Sequence, residues 1–409
     1  MKTIKDSVHD HIEVEGVARD LLDTPPVQRL RRIKQLGTAS LVYPSANHTR
    51  FEHSLGVYYL ACEALDHLSI EGMASERVRA AAILHDVGHG PFSHNLEDLT
   101  YRRTGKMHDD VHELLERGPI GRVLRDHDVE PHEVADLVAG DGAYGQLVSG
   151  ELDVDRMDYL VRDAHHTGVP YGTIDHARLV RELTFHGGDE LVLDEGNVQT
   201  AESLLLARAL MHPTVYGHHV ARISKATLQR ATERYLATTD ATAETVRRWD
   251  DHELAVALRR TEETAPMVRR LDERDLLKRA VWAEIDDVPS ALLAADHEEV
   301  RGWELAIADR AGVDPTDVVL DVPEEPSMTE STTRVLVNGD VRRLDQQSPL
   351  VDALRSAHRA QWRMGVYAPE TRTDAVGSAA VAELGLDLSD SLVSEVRGVA
   401  TRLDEFGDE

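Results

Sequence analysis

The sequence predicts a mainly α-helical protein with a smaller α+β region at its C-terminal end. Long stretches rich in Ala, Leu, Arg and Glu carry apolar residues at helical spacing, as in residues 201–223. Two segments, 183–193 and 335–344, depart from this spacing and predict short β-hairpins. We therefore expect a helical domain over residues 1–285 and the α+β region over residues 286–409.

Turn and cap residues locate the individual elements along the chain. The tetrapeptide at 23–26, Asp-Thr-Pro-Pro, predicts a helix start, with Asp or Thr as the cap and proline in the first turn. The hairpin at 183–193 centres on Gly-Gly-Asp, and the hairpin at 335–344 carries an Asn-Gly pair typical of two-residue turns. A proline- and acid-rich connector lies at 322–327, and residues 404–409 are expected to form a frayed acidic tail.

The charge of the chain excludes some classes of partner. Acidic residues number 74 against 45 basic residues, a formal net charge of −29. Nucleic acid held by overall charge is therefore disfavoured, because phosphate backbones require a basic protein face. An anionic membrane surface is disfavoured for the same reason, and no apolar run long enough for a membrane span is present. The scarcity of lysine and the excess of acid predict a halophilic protein, with an ordinary acidic protein as the alternative.

The cysteine content and the first residues of the sequence predict a location. The only cysteine is Cys62, so the chain cannot form an internal disulfide, which fits a reducing compartment. The first ten residues lack the apolar core of a signal peptide. We therefore expect a cytoplasmic protein.

Histidine and aspartate are concentrated in three segments, 50–56, 83–94 and 152–159. In the middle segment an apolar helical run ends in adjacent His85 and Asp86, and the glycines and proline that follow stop the helix. Imidazole and carboxylate ligands together suit Fe, Mn, Ni, Zn or Mg. One histidine and one aspartate from the flanking segments, His53 and Asp155, would complete a site for a divalent metal ion with positions left open for water and substrate.

Four segments together resemble the HD-domain phosphohydrolases. They are 29–37 (RLRRIKQLG), 50–56 (RFEHSLG), 84–94 (LHDVGHGPFSH) and 151–166 (ELDVDRMDYLVRDAHH). Within that family the sequence is most similar to the branch of the animal SAM-and-HD-domain dNTP triphosphohydrolase and the dGTP triphosphohydrolases, without a counterpart of the SAM domain. The similarity runs over residues 2–224 and thins beyond them. It implies an HD-domain helical core in which His53, His85, Asp86 and Asp155 are the metal ligands.

The resemblance also implies an activity and a set of catalytic residues. The activity is metal-dependent hydrolysis of a deoxynucleoside triphosphate to a deoxynucleoside and inorganic triphosphate. The implied catalytic residues are His89, His94, His108, Glu97 and Asp109. His94 would be the general acid to the leaving 5′-oxygen, and His89 would steady the charge on the alpha phosphate. The two carboxylates would orient their neighbouring histidines, although each is an Asp/Glu exchange relative to the animal enzyme. A second metal ion is the alternative role for these histidines.

Substrate-binding residues follow from the same resemblance, and some of them share helical spacing. The implied residues are Gln35, Arg50, Arg156, Tyr159, Asp163, Arg208, His212 and Tyr216. The arginines would hold phosphates, the tyrosines would exclude a 2′-hydroxyl, and the glutamine and aspartate would bond the 3′-hydroxyl. Residues 27–51 supply five basic side chains and no acid, which offsets the global charge locally. We expect Arg29 and Arg32 of this segment to pair instead with acids of neighbouring helices.

A regulatory site is a further hypothesis. Lys2, Asp23, Gln28 and Arg31 match positions where the animal enzyme reads an activating guanine nucleotide, GTP or dGTP. The alternative role of Asp23 is that of a helix cap. The family likeness also implies a homodimer or homotetramer.

Two other functions remain open from the sequence. One is an HD-type phosphomonoesterase or phosphodiesterase acting on another nucleotide, and the other is a nucleotide-sensing regulatory protein. Product analysis separates the enzymes, because only the triphosphohydrolase releases inorganic triphosphate.

Overall fold

The computed structural model describes residues 1–142, 144–188, 190–328 and 332–386. It confirms a mainly α-helical protein with small β-sheets. The predicted acidic tail lies outside the described residues, and the domain boundary near residue 285 stays a prediction. No helix within the described ranges is both long and apolar enough to cross a membrane.

Helices of the described residues supply most of the fold. In chain order the α-helices are α1 (Gly16–Leu22), α2 (Pro25–Arg29), α3 (Arg50–His67), α4 (Gly72–Leu84), α5 (Glu97–Thr104), α6 (His112–Glu116), α7 (Gly118–Asp126), α8 (Pro131–Val138), α9 (Gly145–Val148), α10 (Val154–Thr167), α11 (His176–Arg181), α12 (Val198–Met211), α13 (His219–Thr238), α14 (Ala243–Arg247), α15 (Asp251–Arg260), α16 (Ala265–Asp272), α17 (Ser290–Leu293), α18 (His297–Ala311), α19 (Leu344–Gln347), α20 (Pro349–Gln361) and α21 (Thr373–Leu384).

The strands form three small sheets. In chain order the strands are β1 (Lys2–Asp6), β2 (Asp10–Val14), β3 (Leu183–His186), β4 (Glu190–Leu193), β5 (Lys278–Glu284), β6 (Val319–Asp321), β7 (Arg334–Val337), β8 (Asp340–Arg343) and β9 (Arg363–Ala368). The sheet orders are β1-β2, β3-β4-β7-β8 and β5-β9-β6. Every pair is antiparallel except β4 with β7, which is parallel.

The apolar side chains form one large core and a separate C-terminal core. The large core lies among α3, α4, α8, α10 and α12, with Leu55, Ile83 and Leu160 fully or almost fully buried. Strand β7 and helix α20 also contribute to it, so the chain beyond β6 returns to the large core. The C-terminal core lies between the β5-β9-β6 sheet and helices α18 and α21. The three helices that carry the metal-ligand motifs, α3, α4 and α10, therefore meet in one apolar interior.

Both predicted hairpins are confirmed. Strands β3 and β4 pair in register from Leu183↔Leu193 to His186↔Glu190. Strands β7 and β8 are joined by Asn338 and Gly339, whose φ angles are 55° and 80°. Two consecutive positive φ angles define a type I′ turn, whose twist matches that of the strands it joins. The Asn-Gly pair was therefore a reliable signal.

The predicted helical stretch 201–223 is interrupted in the structure. Helix α12 ends at Met211, a π-helical turn spans His212–Tyr216, and α13 begins at His219. Pro213 lacks an N–H for the α-helical ladder, and its ring clashes with the carbonyl four residues earlier. The Gly217 N–H then bonds the His212 carbonyl at 2.6 Å, which closes the wider turn.

Sequence reasoning missed the N-terminal hairpin of β1 and β2. The hairpin buries Ile12 and Val14 and leaves the intervening Glu13 exposed. This alternation is the ordinary signal of a half-buried strand, but it covers too few residues to stand out. The three-stranded sheet of β5, β6 and β9 was also not predicted.

Two glycine substitutions test the backbone analysis, and they should change stability in opposite directions. Gly339→Ala forces a side chain into the left-handed region and should lower the free energy of unfolding by about 1 kcal/mol. Gly302→Ala lies within α18 with open space around the added methyl group, and should raise it by about 1 kcal/mol. Urea unfolding followed by circular dichroism measures both. Equal effects of the same sign would contradict the turn assignment.

Candidate metal centre and active site

Helix α3 places the first predicted ligand. Thr49 and Glu52 form a capping box at its start, in which Glu52 Oε2 accepts from the Thr49 N–H at 2.7 Å. The Arg50 N–H donates to the Ile33 carbonyl at 2.9 Å, which ties the helix start to the preceding segment. His53 follows in the first turn and is completely buried. Its position is therefore determined by the cap of the helix.

Helices α4 and α10 supply the other three predicted ligands. His85 is the residue at which α4 ends, and Asp86 follows it directly. Asp153 caps the start of α10 by accepting from the Arg156 N–H, which places Asp155 in the first turn. Both helix ends carry their ligands toward α3.

The four predicted ligands converge. His53 Nε2 lies 2.8 Å from an Asp155 oxygen and 3.2 Å from His85 Nε2. His85 Nε2 lies 3.5 Å from Asp86 Oδ1, and His53 Nε2 lies 3.8 Å from Asp86 Oδ2. The side chains come from positions up to 102 residues apart, yet they share one small space.

The donor atoms of this cluster fit a divalent metal ion. His53 Nδ1 bonds Asp158 Oδ2 at 2.8 Å, and His85 Nδ1 bonds the Ala82 carbonyl at 2.9 Å. Both acceptors are oxygens without a proton to give, so each histidine donates from Nδ1 and turns the lone pair of Nε2 inward. Two facing lone pairs at 3.2 Å repel unless a cation or proton lies beside them. The His/Asp cluster can therefore hold a divalent ion.

The same cluster binds a proton strongly when no metal competes for it. Burial by itself lowers the pKa of His53, but the hydrogen bonds to Asp155 and Asp158 outweigh it and raise the pKa to about 10. Because metal ligands must lose their protons, metal binding should release a proton from this site.

Arg50 neutralises one of the carboxylates that are predicted to bind metal, that of Asp86. Its Nη1 donates to both oxygens of Asp86 at 2.8 and 2.9 Å, and its Nε donates to Ser93 Oγ at 2.9 Å. Burial acts to raise the pKa of Asp86, but the Arg50 charge and the nearby histidines hold it well below the usual range. Arg50 thus lies directly beside the metal centre, and its contact with a phosphate stays a prediction.

A second cluster, of three histidines and Glu97, adjoins the metal centre. The rings of His89 and His108 stack at 4.1 Å with an interplanar angle of 12°, and His94 lies edge-on to both. Glu97 bonds Nδ1 of His94 at 2.5 Å and also Nδ1 of His108. Nitrogen and oxygen atoms of all four residues lie within 4.8 Å of one another, so this cluster too could hold a metal ion. The second-metal alternative therefore remains open.

The histidines of this cluster differ in protonation. Burial, aided by the charges of Arg50 and His108, holds the pKa of His89 well below its usual range. Burial also acts to lower the pKa of His108, but the hydrogen bond to Glu97 outweighs it and the net shift is upward. A neutral His89 therefore stacks on a His108 that is readily protonated.

Glu97 makes the contacts that were predicted for two separate carboxylates, Glu97 with His94 and Asp109 with His108. It contacts both His94 and His108. Among the described residues, the hydrogen bond of Asp109 is made by its backbone carbonyl, which accepts from the Val111 N–H at 2.8 Å. The orienting role predicted for Asp109 thus stays a prediction without a contact to support it. Gly88 lets the segment of His108 approach, because a Cβ there would lie 2.0 Å from the His108 carbonyl oxygen.

The other end of α10 carries a polar group built around Asp163. The Tyr216 hydroxyl donates to Asp163 Oδ2 at 2.9 Å, and His48 Nε2 lies 2.8 Å from Asp163 Oδ1. The ring of Tyr159 packs edge-on against that of Tyr216 at 6.2 Å. Gln35 is buried, and its Oε1 has no hydrogen-bond partner among the described residues. A buried acceptor of this kind is costly unless a ligand satisfies it.

Three other predicted substrate residues, His212, Arg156 and Arg208, lie beside side chains other than Asp163. The ring of His212 packs against His358 at 4.7 Å, in the π-helical turn. Arg156 Nη1 lies 3.2 Å from Asp153, at the capped end of α10. Burial raises the pKa of Tyr159, and the positive charge of Arg208 acts against this rise, so Arg208 lies near the tyrosines. The expectation from helical spacing that Arg208, His212 and Tyr216 share one helix face is wrong, because α12 ends at Met211 and both His212 and Tyr216 lie in the π-helical turn.

The basic segment 27–51 is mostly engaged within the protein. Arg32 pairs with Asp250 at 2.5 Å, which confirms its prediction. The prediction for Arg29 is wrong, because its guanidinium donates to three carbonyl oxygens and to no acid. These are carbonyls of the loops after α4 and before α15, which the half-buried side chain reaches before any carboxylate of the described residues. They belong to Trp249, Val87 and His89.

The residues predicted for an activator lie together at the surface. Lys2 Nζ lies 2.5 Å from Asp23 Oδ2, and Arg31 Nε donates to Gln28 at 2.9 Å. The guanidinium of Arg31 lies 3.6 Å above the ring of Phe51. Thr24, not Asp23, is the residue that precedes α2, and its side chain makes no capping bond.

Sequence reasoning missed Asp158, the partner of His53. It lies three residues after Asp155 in the same motif, and this spacing was the available signal. Its other partners are Arg162, one turn later on the same helix, and His9, from the N-terminal hairpin.

Comparisons with known proteins agree with this geometry. The family profile described as "HD domain" matches residues 50–163, and the profile described as "HD associated region" matches residues 174–395. An uncharacterized protein of Methanocaldococcus jannaschii is 32% identical over 379 residues, which cover 91% of this chain and 80% of that protein.

Characterised and solved relatives are also similar. The deoxynucleoside triphosphate triphosphohydrolase SAMHD1 of Homo sapiens is 32% identical over 54% of this chain and 43% of that protein. The chain also spans only about half the length of several other relatives, for instance 55% of an uncharacterized protein of Bacillus subtilis and 51% of one of Mycoplasma genitalium. A solved phosphohydrolase of Bacteroides thetaiotaomicron is 27% identical with a TM-score of 0.70, covering 90% of this chain and 100% of that one. The chain therefore belongs to the HD-domain family of phosphohydrolases.

Proposed function

We propose that the protein is a metal-dependent dNTP triphosphohydrolase. One observation carries the proposal: α10 bears Asp155 of the metal centre in its first turn and the Asp163–Tyr216 pair about two turns later. Eight residues of helix span about 12 Å. A single helix thus lines both a site for phosphorus chemistry and a polar group suited to a sugar hydroxyl.

The reaction requires water to add to the alpha phosphorus while the bond to the 5′-oxygen breaks. A divalent ion held by His53, His85, Asp86 and Asp155 would polarise the phosphate and make hydroxide available near neutral pH. Glu97 binds Nδ1 of His94, so Nε2 of that ring is the atom left to give a proton to the leaving 5′-oxygen. The products are then a deoxynucleoside and inorganic triphosphate.

The group around Asp163 supports a deoxyribose rather than a ribose. Asp163 Oδ2 would accept from a 3′-hydroxyl. Gln35 follows as a second candidate acceptor, because its backbone N–H bonds the carbonyl of His48, the partner of Asp163, and its Oε1 has no partner among the described residues. The two aromatic rings of Tyr159 and Tyr216 would occupy the volume of a 2′-hydroxyl. A positioned ring is an effective filter, because it leaves an extra hydroxyl both without space and without a partner.

We also propose a guanine-nucleotide activator at the surface site of Lys2, Asp23, Gln28 and Arg31. The Lys2–Asp23 pair and the Arg31–Gln28 pair offer cations for phosphate and polar edges for a base. We also propose that the protein is a cytoplasmic homodimer or homotetramer and that it is halophilic. The net charge of −29 supports the halophilic character.

The first prediction concerns the product and the metal. Each dNTP, incubated with Mn²⁺-loaded protein at high salt, should yield deoxynucleoside and inorganic triphosphate on ion-exchange chromatography. His85→Ala should lower the rate at least 100-fold and lose bound metal, because one inward-facing Nε2 is gone. Release of orthophosphate or of a monophosphate would instead support the phosphomonoesterase or phosphodiesterase.

A matched control for this prediction is His132→Ala. His132 is an exposed histidine of α8, so its loss should change neither the rate nor the metal content. Equal loss in both variants would show that the effect is not specific to the proposed site.

The second prediction concerns the sugar. Tyr216→Ala removes a ring and a hydroxyl from the Asp163 group, so the preference for dATP over ATP in kcat/KM should fall about tenfold. Tyr171→Ala, at an exposed tyrosine, should leave the preference unchanged. An unaltered preference in the Tyr216 variant would remove this ring from the selectivity filter.

The third prediction concerns activation. GTP or dGTP should raise the rate of dTTP hydrolysis at least fivefold, which is about 1 kcal/mol of coupling. Asp23→Ala should abolish the increase, whereas Asp20→Ala, in the helix α1 that ends just before Asp23, should retain it. A rate that does not respond to guanine nucleotide in the unsubstituted protein would exclude the activator site.

A further inference from the structure

Asp158 is a buried carboxylate whose acceptor positions are all occupied. Oδ2 accepts from His53 Nδ1 at 2.8 Å and from Arg162 Nε at 2.8 Å. Oδ1 accepts from His9 Nε2 at 2.7 Å and from Arg162 Nη2 at 3.0 Å. A carboxylate offers about four lone-pair positions, so each oxygen takes one histidine and one arginine nitrogen and has no position left.

The space for this arrangement comes from a glycine of the RFEHSLG segment. A Cβ built on Gly56 would lie 1.9 Å from Asp158 Oδ1 and 2.5 Å from Arg162 Nη2. No side chain larger than hydrogen fits at that distance. The glycine one turn after His53 therefore lets the carboxylate reach both histidines.

His9 comes from the turn between β1 and β2, and it is firmly held. The Asp6 carboxylate accepts from the Val8 N–H at 2.9 Å and from the His9 N–H at 2.8 Å, which fixes the turn. The His9 ring stacks on Tyr59 at 4.7 Å, and its side chain is 2% exposed. The turn thus presents one nitrogen of His9 to Asp158 in a fixed orientation.

Asp6 adds a second link between the turn and the same carboxylate. Its two oxygens accept from Arg162 Nη1 at 2.9 Å and Arg162 Nη2 at 3.2 Å. Arg162 binds Asp158 through Nε, and its Nη2 is shared between Asp158 and Asp6. The N-terminal hairpin is therefore joined to Asp158 both through His9 and through Asp6 and Arg162.

We propose that His9 and Asp158 are positioning residues of the metal centre. Asp158 holds His53 in the state that donates from Nδ1 and points the lone pair of Nε2 at the metal, and His9 holds Asp158 in place. Loss of the His9 donor leaves one acceptor position of a buried carboxylate unsatisfied, so the carboxylate turns toward another donor and His53 loses its orientation. The inference rests on the metal site of the proposed function and not on the identity of the nucleotide.

The test is a Mn²⁺ titration of the full chain without nucleotide, followed by the EPR signal of free Mn²⁺. Partners that orient metal-binding histidines typically contribute 10- to 100-fold in affinity. His9→Leu keeps an apolar side chain against Tyr59 but removes the donor, and it should weaken Mn²⁺ binding at least tenfold. His9→Gln restores a donor and should recover part of this loss.

His11→Leu is the matched control in the same hairpin. His11 is exposed and contacts Asp10 rather than Asp158, so this variant should bind Mn²⁺ as tightly as the unsubstituted chain. His85→Ala defines the binding that belongs to the site, and its failure to reduce Mn²⁺ binding would count against the proposed metal centre itself.

Other outcomes would overturn the positioning role alone. A His9→Leu variant that is folded by circular dichroism and binds Mn²⁺ with unchanged affinity would do so. So would equal weakening in His11→Leu, or a His9→Gln variant no better than His9→Leu, because these would trace the effect to packing. If His9→Leu does not fold, His9→Phe takes its place in every comparison, because its ring keeps the stacking on Tyr59 and has no donor for Asp158.

Discussion

Two carboxylates act on the two nitrogens of one imidazole, that of His53: Asp158 is completely buried, and the side chain of Asp155 is 34% exposed. Asp155 lies 2.8 Å from Nε2, and Asp158 lies 2.8 Å from Nδ1. A buried charge is tolerated only when it is paired and hydrogen-bonded, so Asp158 requires its three donors: His53 on α3, His9 from the N-terminal turn and Arg162 on its own helix. This requirement links α3, α10 and the N-terminal hairpin beside the candidate metal centre.

The same constraint explains how a chain with a net charge of −29 can serve phosphorus chemistry. Arg50 and Arg162 are buried and paired with Asp86 and Asp158, so their charges act where solvent does not screen them. The surface excess of acid is largely screened by salt at such distances. The site therefore depends on local pairs and not on the net charge.

The five-residue strand β1 links two features of the molecule. Its first residue, Lys2, belongs to the candidate activator site, and its last residue, Asp6, binds the arginine that supports Asp158.

Much of the site could be predicted from residue types and spacing, and part of it could not. The clustering of the candidate ligands His53, His85, Asp86 and Asp155 and the two hairpins were predictable, because the HD motif and the turn residues are local signals. The helix break at Pro213 was also predictable from the proline itself, but the helical spacing of the apolar residues around it led us to predict one continuous helix. The partner of Arg29 carried none, because it depends on which carbonyls lie beside a buried guanidinium after folding.

The sequence by itself determined the chemistry of the ligands and the places where the chain turns, since side-chain type and backbone preference are local properties. Only the tertiary structure decided that His9 meets Asp158 across 149 residues, that one oxygen of that carboxylate is left for each histidine, and that Glu97 serves both His94 and His108. These pairings follow from burial, which forces each polar group to find a partner among whatever segments the apolar core brings beside it.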